Sequence, residues 1–214
     1  VICTLQEGET IKNETGAMSF MTSGMKMETN TGGGPLKGLG RALSGDSLFL
    51  NFFTAESGTQ QIGFSAHSPG KIIPFKLDGT NTIIGQKNAF LAAEDSVEVE
   101  IFFKNKLGTG IFGGEGFILQ RISGNGIAFA EFDGHVVEYD LKAGQQIIVD
   151  SGYLAAMEAT CQMDIQTVPG LKNAVFGGEG IFNTVITGPG HIWLQTMPIY
   201  SVAGAIRPYI PTGN

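Results

Sequence analysis

The feature that most restricts what this chain can fold into is its resemblance to itself. FGGEGFILQRISGNGIAF, starting at Phe112, stands against FGGEGIFNTVITGPGHIW, starting at Phe176, a period of 64 residues. Upstream, LDGTNTIIGQKNAFLAA from Leu77 matches LKAGQQIIVDSGYLAAM from Leu141, and SVEVEIFF from Ser96 matches TCQMDIQTV from Thr160. A more divergent copy stands in front. There LQEGETIKNETGAMSFM from Leu5 takes the place of the Leu77 segment, and LSGDSLFLNFF from Leu43 that of the FGGEG phrase. Self-similarity at a fixed period marks a repeat architecture. Three units are predicted, over 1–76, 77–140 and 141–214, the first with a glycine-rich insertion at 29–42 and the last with a C-terminal tail.

Each unit reads as strand after strand. Val97, Val99 and Ile101 alternate with Glu98 and Glu100, the period of a half-buried strand. IAFAEF, from Ile127, is apolar on both faces and is predicted to be covered on both. Asp133-Gly134 predicts a tight hairpin into VVEYDL. No segment keeps apolar residues at helical spacing for three turns, so the chain is predicted to be all-β.

A lone 64-residue β unit would bury only about 60% of its unfolded surface, and its sheet edges would stay open. Composition points the same way: charged residues make up 15% of the chain, against about 25% in ordinary soluble domains. A surface so short of charge predicts burial against other subunits, and three units per chain predict closure into a homo-oligomeric ring. The net charge of −7 disfavours DNA and makes RNA a poor partner, because sequence-independent affinity for nucleic acid comes from Lys and Arg. Cys3 and Cys161 form no CxxC; Cys161, in step with Met163 and Ile165, reads as a buried thiol, and a reducing compartment, the cytoplasm, is expected. No apolar run approaches the roughly 18 residues of a membrane-spanning helix.

The repeated phrase places an acid between small residues: Asp46 after Gly45, Glu115 between Gly113-Gly114 and Gly116, and Glu179 between Gly177-Gly178 and Gly180. The glycines predict sharp turns leading into apolar strands. Two readings of the acids stand. Each carboxylate accepts hydrogen bonds from the amides of its own turn or pairs with a neighbouring cation, or the three recur around an assembly as a ring for cations or a basic partner. Lys37, Lys106 and Lys172 echo a few residues upstream and read as solvated surface charge. GTGIFG, from Gly108, satisfies GxGxxG, yet a dinucleotide site needs a helix there and FILQRISGNG is strand-like. His67, His135 and His191 occupy non-equivalent places, in no HxH or HExxH pattern, and are read as turn or surface residues. No nucleophile elbow or Cys and His pair stands out. No enzyme activity, cofactor or metal is therefore expected.

GGEGIFNTVITGPGHIWLQTMP, GQQIIVDSGYLAAM, LFLNFFTAE and the terminal AIRPYIPTGN resemble the uncharacterised bacterial relatives of the mitochondrial-biogenesis family called altered inheritance of mitochondria. The resemblance covers essentially the whole chain. It implies three tandem domains similar to the tryptophan RNA-binding attenuation protein (TRAP-like), each a short double-stranded β-helix, and a trimer with a pseudo-ninefold ring. It further implies a link to membrane organisation, since mitochondrial relatives are associated with the inner membrane. The attenuation protein's tryptophan site and basic RNA edge find no repeated equivalent here.

The expected function is a non-enzymatic homotrimeric scaffold or interaction platform with an unidentified protein partner and peripheral contact with a membrane. The apolar tail from Met197 to Ile210 would brace a neighbouring copy. The alternative is a small-ligand or RNA-binding module using clefts between units. A cupin-like enzyme is suggested only by LQEGETI and LKAGQQI, which lack metal histidines.

Overall fold

The computed structural model describes residues 1–30, 50–105, 116–167 and 182–210. The expectation of an all-β chain holds, with strands and a single short α-helix among these residues. The strands are β1 (Ile2–Leu5), β2 (Thr10–Glu14), β3 (Met18–Met21), β4 (Met25–Asn30), β5 (Leu50–Ala55), β6 (Gln60–Phe64), β7 (Gly70–Asp78), β8 (Ile83–Gln86) and β9 (Phe90–Glu94). They continue with β10 (Val97–Asn105), β11 (Phe117–Asp133), β12 (Val136–Leu141), β13 (Gln146–Asp150), β14 (Leu154–Glu158), β15 (Gln162–Thr167), β16 (Phe182–Thr187) and β17 (Gly190–Gln195). Helix α1 (Ile199–Ile206) follows, and no helix among the described residues is long and apolar enough to cross a membrane.

The strands form an 11-stranded sheet and two separate three-stranded sheets, β1-β6-β3 and β13-β16-β15, and none of these closes on itself. Strand β11 organises the large sheet. Its first half pairs with β8 and β10, and its second half with β7 and β9. The change of partners falls at Gly124 and Gly126, whose φ angles of +107° and +144° belong to glycine. A Cβ on Gly124 would lie 2.6 Å from the Ser96 carbonyl oxygen, so strand and neighbour approach as closely as they do only without a side chain there.

Local patterning accounts for the layers. Val97 is buried while Glu98 and Glu100 are exposed, the alternation the sequence predicted. In IAFAEF, Ala128, Ala130, Glu131 and Phe132 are buried, and Ile127 alone reaches water substantially. The expected Asp133-Gly134 hairpin is corrected. Gly134 does turn the chain, with φ +71°, but β12 pairs with β17 rather than with β11. One edge of β11 is held by β7 as far as Asp133 and the other by β9 over Ala128–Ala130, and β12 finds its partner in β17 instead.

The core has three apolar clusters. One gathers Leu5, Ile11, Phe53, Ile62 and Phe64; the second Phe75, Leu77, Ile83, Phe90 and Phe132; the third Leu141, Leu154, Met157, Ile186 and Ile192. Each takes residues from a neighbouring stretch of chain: Leu91 and Ala92 complete the first, Ala155, Ala156 and Trp193 the second, and Leu119 the third. The clusters are therefore coupled through strands that serve two neighbours.

Candidate interaction surface

Of the residues singled out in the glycine phrases, Gly45, Asp46, Gly113, Gly114, Glu115, Gly177, Gly178, Glu179 and Gly180 lie outside the described residues, as do Lys37, Lys106 and Lys172. Gly116 is described. It is buried, has φ +86°, and leads directly into β11, so this position requires glycine. The residues after the GxGxxG match build a strand from Phe117, without the helix N-terminus that a pyrophosphate needs.

Strand register assembles a charged cluster that the sequence did not reveal. On β17, His191 stands opposite Asp140 of β12, and its Nδ1 lies 2.6 Å from the Asp140 carboxylate. Its Nε2 lies 3.1 Å from Glu138, its backbone N–H donates to Glu158 at 2.9 Å, and its ring packs 4.4 Å from that of Trp193. Burial alone would lower the pKa of His191, but the hydrogen bonds to Asp140 and Glu138 outweigh it and raise the pKa above its usual value. His191 is thus a half-buried strand residue held by two acids rather than a turn residue. His67 does lie in a loop; its backbone N–H and Nδ1 meet the buried carboxylate of Glu131 at 2.6 and 2.5 Å. The backbone N–H of His135 donates to the Thr196 hydroxyl.

Cys161 is buried, as its spacing predicted, and burial pushes its thiol and that of Cys3 above the ordinary range. Both are therefore poor thiolates near neutral pH. No group of three or more His, Cys, Asp or Glu among the described residues is arranged to hold a metal ion.

A buried polar layer was also missed. Asn51 faces Asn13, Gln120 faces Gly85 and Thr184 faces Val149, each at the place where the central strand crosses its neighbour. Asn51 accepts a hydrogen bond from the Thr29 hydroxyl, and the Thr184 hydroxyl meets that of Ser151 at 2.6 Å. The side-chain amides of Asn13 and Gln120 are fully buried and make no hydrogen bond. Nothing in the sequence distinguishes them, because an Asn or Gln between apolar residues reads equally well as the outward side of a strand.

Several large apolar side chains are exposed. Phe20 and Met21 on β3, Ile2 on β1 and Ile148 on β13 are exposed, all on the two three-stranded sheets. A second apolar set follows β17: Met197, Ile199, Ile206, Tyr209 and Ile210 are exposed on and around α1. The helix is anchored by the Ile199 N–H donating to Asp133 at 2.7 Å and by Tyr200, which lies over Gly152. Burial, the largest influence on Tyr200, drives its hydroxyl pKa well above the usual value.

The family model described as mitochondrial biogenesis AIM24 matches residues 1–197. The chain belongs to this family. An uncharacterized protein of Streptococcus pyogenes serotype M6 is 27% identical over 218 residues, covering 98% of this chain and 86% of its own length. The crystal structure of another S. pyogenes protein superposes with a TM-score of 0.79 at 24% identity, covering 98% of this chain and 93% of that one. At that identity the likeness speaks for the fold alone. The likeness thus supports the architecture, and the chemistry has to be argued from the surface just described.

Proposed function

We propose that this AIM24-family chain is a non-enzymatic scaffold that works as a ring-forming homotrimer of TRAP-like units. The observation that carries this reading is the set of large apolar side chains left in water on two open sheets, Phe20 and Met21 on β3 of one and Ile148 on β13 of the other. Open sheet edges with apolar flanks invite pairing with another chain, and a soluble protein manages them by burying them. The reading is supported by the titratable clusters, whose members are engaged with one another: His191 with Asp140 and Glu138, and His67 with Glu131. Sedimentation equilibrium at physiological salt tests it. The expected mass is three times the 22.6 kDa of one chain. A single-chain mass at micromolar concentration would refute the proposal.

A further inference from the structure

The two three-stranded sheets are the separated halves of a junction that the chain builds twice within itself. Ile11, Ile83 and Ile147 occupy the same place in the three matched segments, as do Met21, Ala93 and Met157. At the first internal junction β2 pairs antiparallel with β9, in the register Ile11↔Glu94, Lys12↔Ala93 and Asn13↔Ala92. At the second, β8 pairs antiparallel with β14 as Ile83↔Glu158, Ile84↔Met157 and Gly85↔Ala156. The two registers superimpose residue for residue under the sequence match. Strands β9 and β14 also carry a bulge at one place, skipping Leu91 and Ala155, and β3 skips the matching Ser19. By the same match β13 corresponds to β2 and β8, and β3 to β9 and β14, yet in one chain β13 and β3 lie in different sheets.

Exposure follows this pattern. Ile148, matched to Lys12 (8% exposed) and Ile84 (1%), is 64% exposed. Met21, matched to Ala93 (0%) and Met157 (2%), is 38% exposed, and Phe20, matched to Ala92 (0%) and Ala156 (1%), is 44% exposed. The positions that are covered at both internal junctions are bare on the edge strands β3 and β13, and their side chains are large and apolar.

We infer that β13 of one copy pairs antiparallel with β3 of a second copy of this chain, in the register Ile147↔Thr22, Ile148↔Met21 and Val149↔Phe20. The contact reproduces the internal junctions, joins the two three-stranded sheets into one six-stranded sheet and places Ile148 against Met21 as a cross-strand pair. It is head-to-tail, so it propagates until it closes or extends. The inference rests on the proposed self-assembly and adds to it which strands meet and in what register.

Cross-linking tests the register. In a background of Cys3→Ser and Cys161→Ser, Met21→Cys is combined with Ile148→Cys. Directly opposed antiparallel residues have Cα atoms about 4.5–5.5 Å apart, within the range a disulfide spans. Mild oxidation is expected to give intermolecular disulfides in most of the protein, and the pair Met21→Cys with Gln146→Cys to give few. Ile148→Asp provides a second variant, since that side chain is exposed in the single chain and the fold should survive. The circular dichroism spectrum should stay unchanged while the assembly dissociates at a concentration about 100-fold higher or more, because a carboxylate would be seated in an apolar junction. A trimer that cross-links only in the shifted register, or that Ile148→Asp leaves intact, overturns the pairing and spares the ring. An open, polydisperse polymer that cross-links at Met21 and Ile148 supports the pairing and refutes the ring, and a single-chain mass refutes both.

Discussion

The buried amide of Gln120 offers a test of the core in which the expected sign is unusual. Its side chain is fully buried on β11 over Gly85, and neither its oxygen nor its nitrogen has a hydrogen-bond partner. Burying an unpaired polar group costs about 1–3 kcal/mol, and an apolar side chain of similar shape avoids that cost. Gln120→Met keeps the length and flexibility of the side chain, so misfit should take back less than about 1.5 kcal/mol. A net gain of about 1–2 kcal/mol follows, which in a chain of this size corresponds to a rise in Tm of about 2–8 °C. Thr184→Val, at the matching place on β16, provides the contrast. It removes the hydroxyl bonded to Ser151 and should cost about 0.5–1.5 kcal/mol. Thermal and urea denaturation at one fixed protein concentration would measure both, since self-association makes Tm depend on concentration. If Gln120→Met lowered Tm by several degrees, the amide would have to be paired in solution and the reasoning would fail.

Other consequences can be checked individually. Gly124→Ala should destabilise by more than about 2 kcal/mol in a urea titration, because it combines a φ of +107° with a Cβ 2.6 Å from a backbone oxygen. Gly152→Val puts side-chain atoms where Tyr200 now lies, its hydroxyl oxygen within the van der Waals radius of an added Cβ, and should release α1 to limited proteolysis while leaving the β-sheet signal unchanged. His191 has a pKa raised by its folded surroundings, so its contribution to stability is fully present below its ordinary value of about 6.5 and is lost as pH rises through the raised value. An NMR titration should show the His191 midpoint falling toward that ordinary value in Asp140→Asn.

How much of this was legible in the sequence depended on the range of the interaction concerned. The alternation of Val97, Glu98, Val99 and Glu100 reports the two faces of one strand, a local property, and it was read correctly. FILQRISGNG was read only as strand-like, and that Gly124 and Gly126 are where β11 changes partners emerged from the pairing of the strands. Asp133-Gly134 was misread because a turn signal says that the chain reverses and nothing about which strand receives it; β7 holds one edge of β11 as far as Asp133, and β12 pairs with β17. The cluster at His191 was out of reach for the same reason. Asp140 and Glu138 meet the imidazole only through the register of β12 on β17, and a one-residue slip would turn them to the other face.

The internal junctions and the open one differ in the size of the residues that line them, and the difference has a physical cause. Ala92, Ala93 and Ala156 line the contacts within the chain, where Met157 is the one large member on that side, whereas Phe20 and Met21 stand at the corresponding places on β3. Strands tethered in one polypeptide meet at high effective concentration, so small side chains suffice to seal the seam and backbone pairing sets the register. A seam between separate molecules must also offset their lost translational and rotational freedom, on the order of 4–15 kcal/mol, and buried apolar area is the main source of that compensation. Large residues at Phe20, Met21 and Ile148 are what such a seam requires, and in a solitary chain they would be a liability for aggregation.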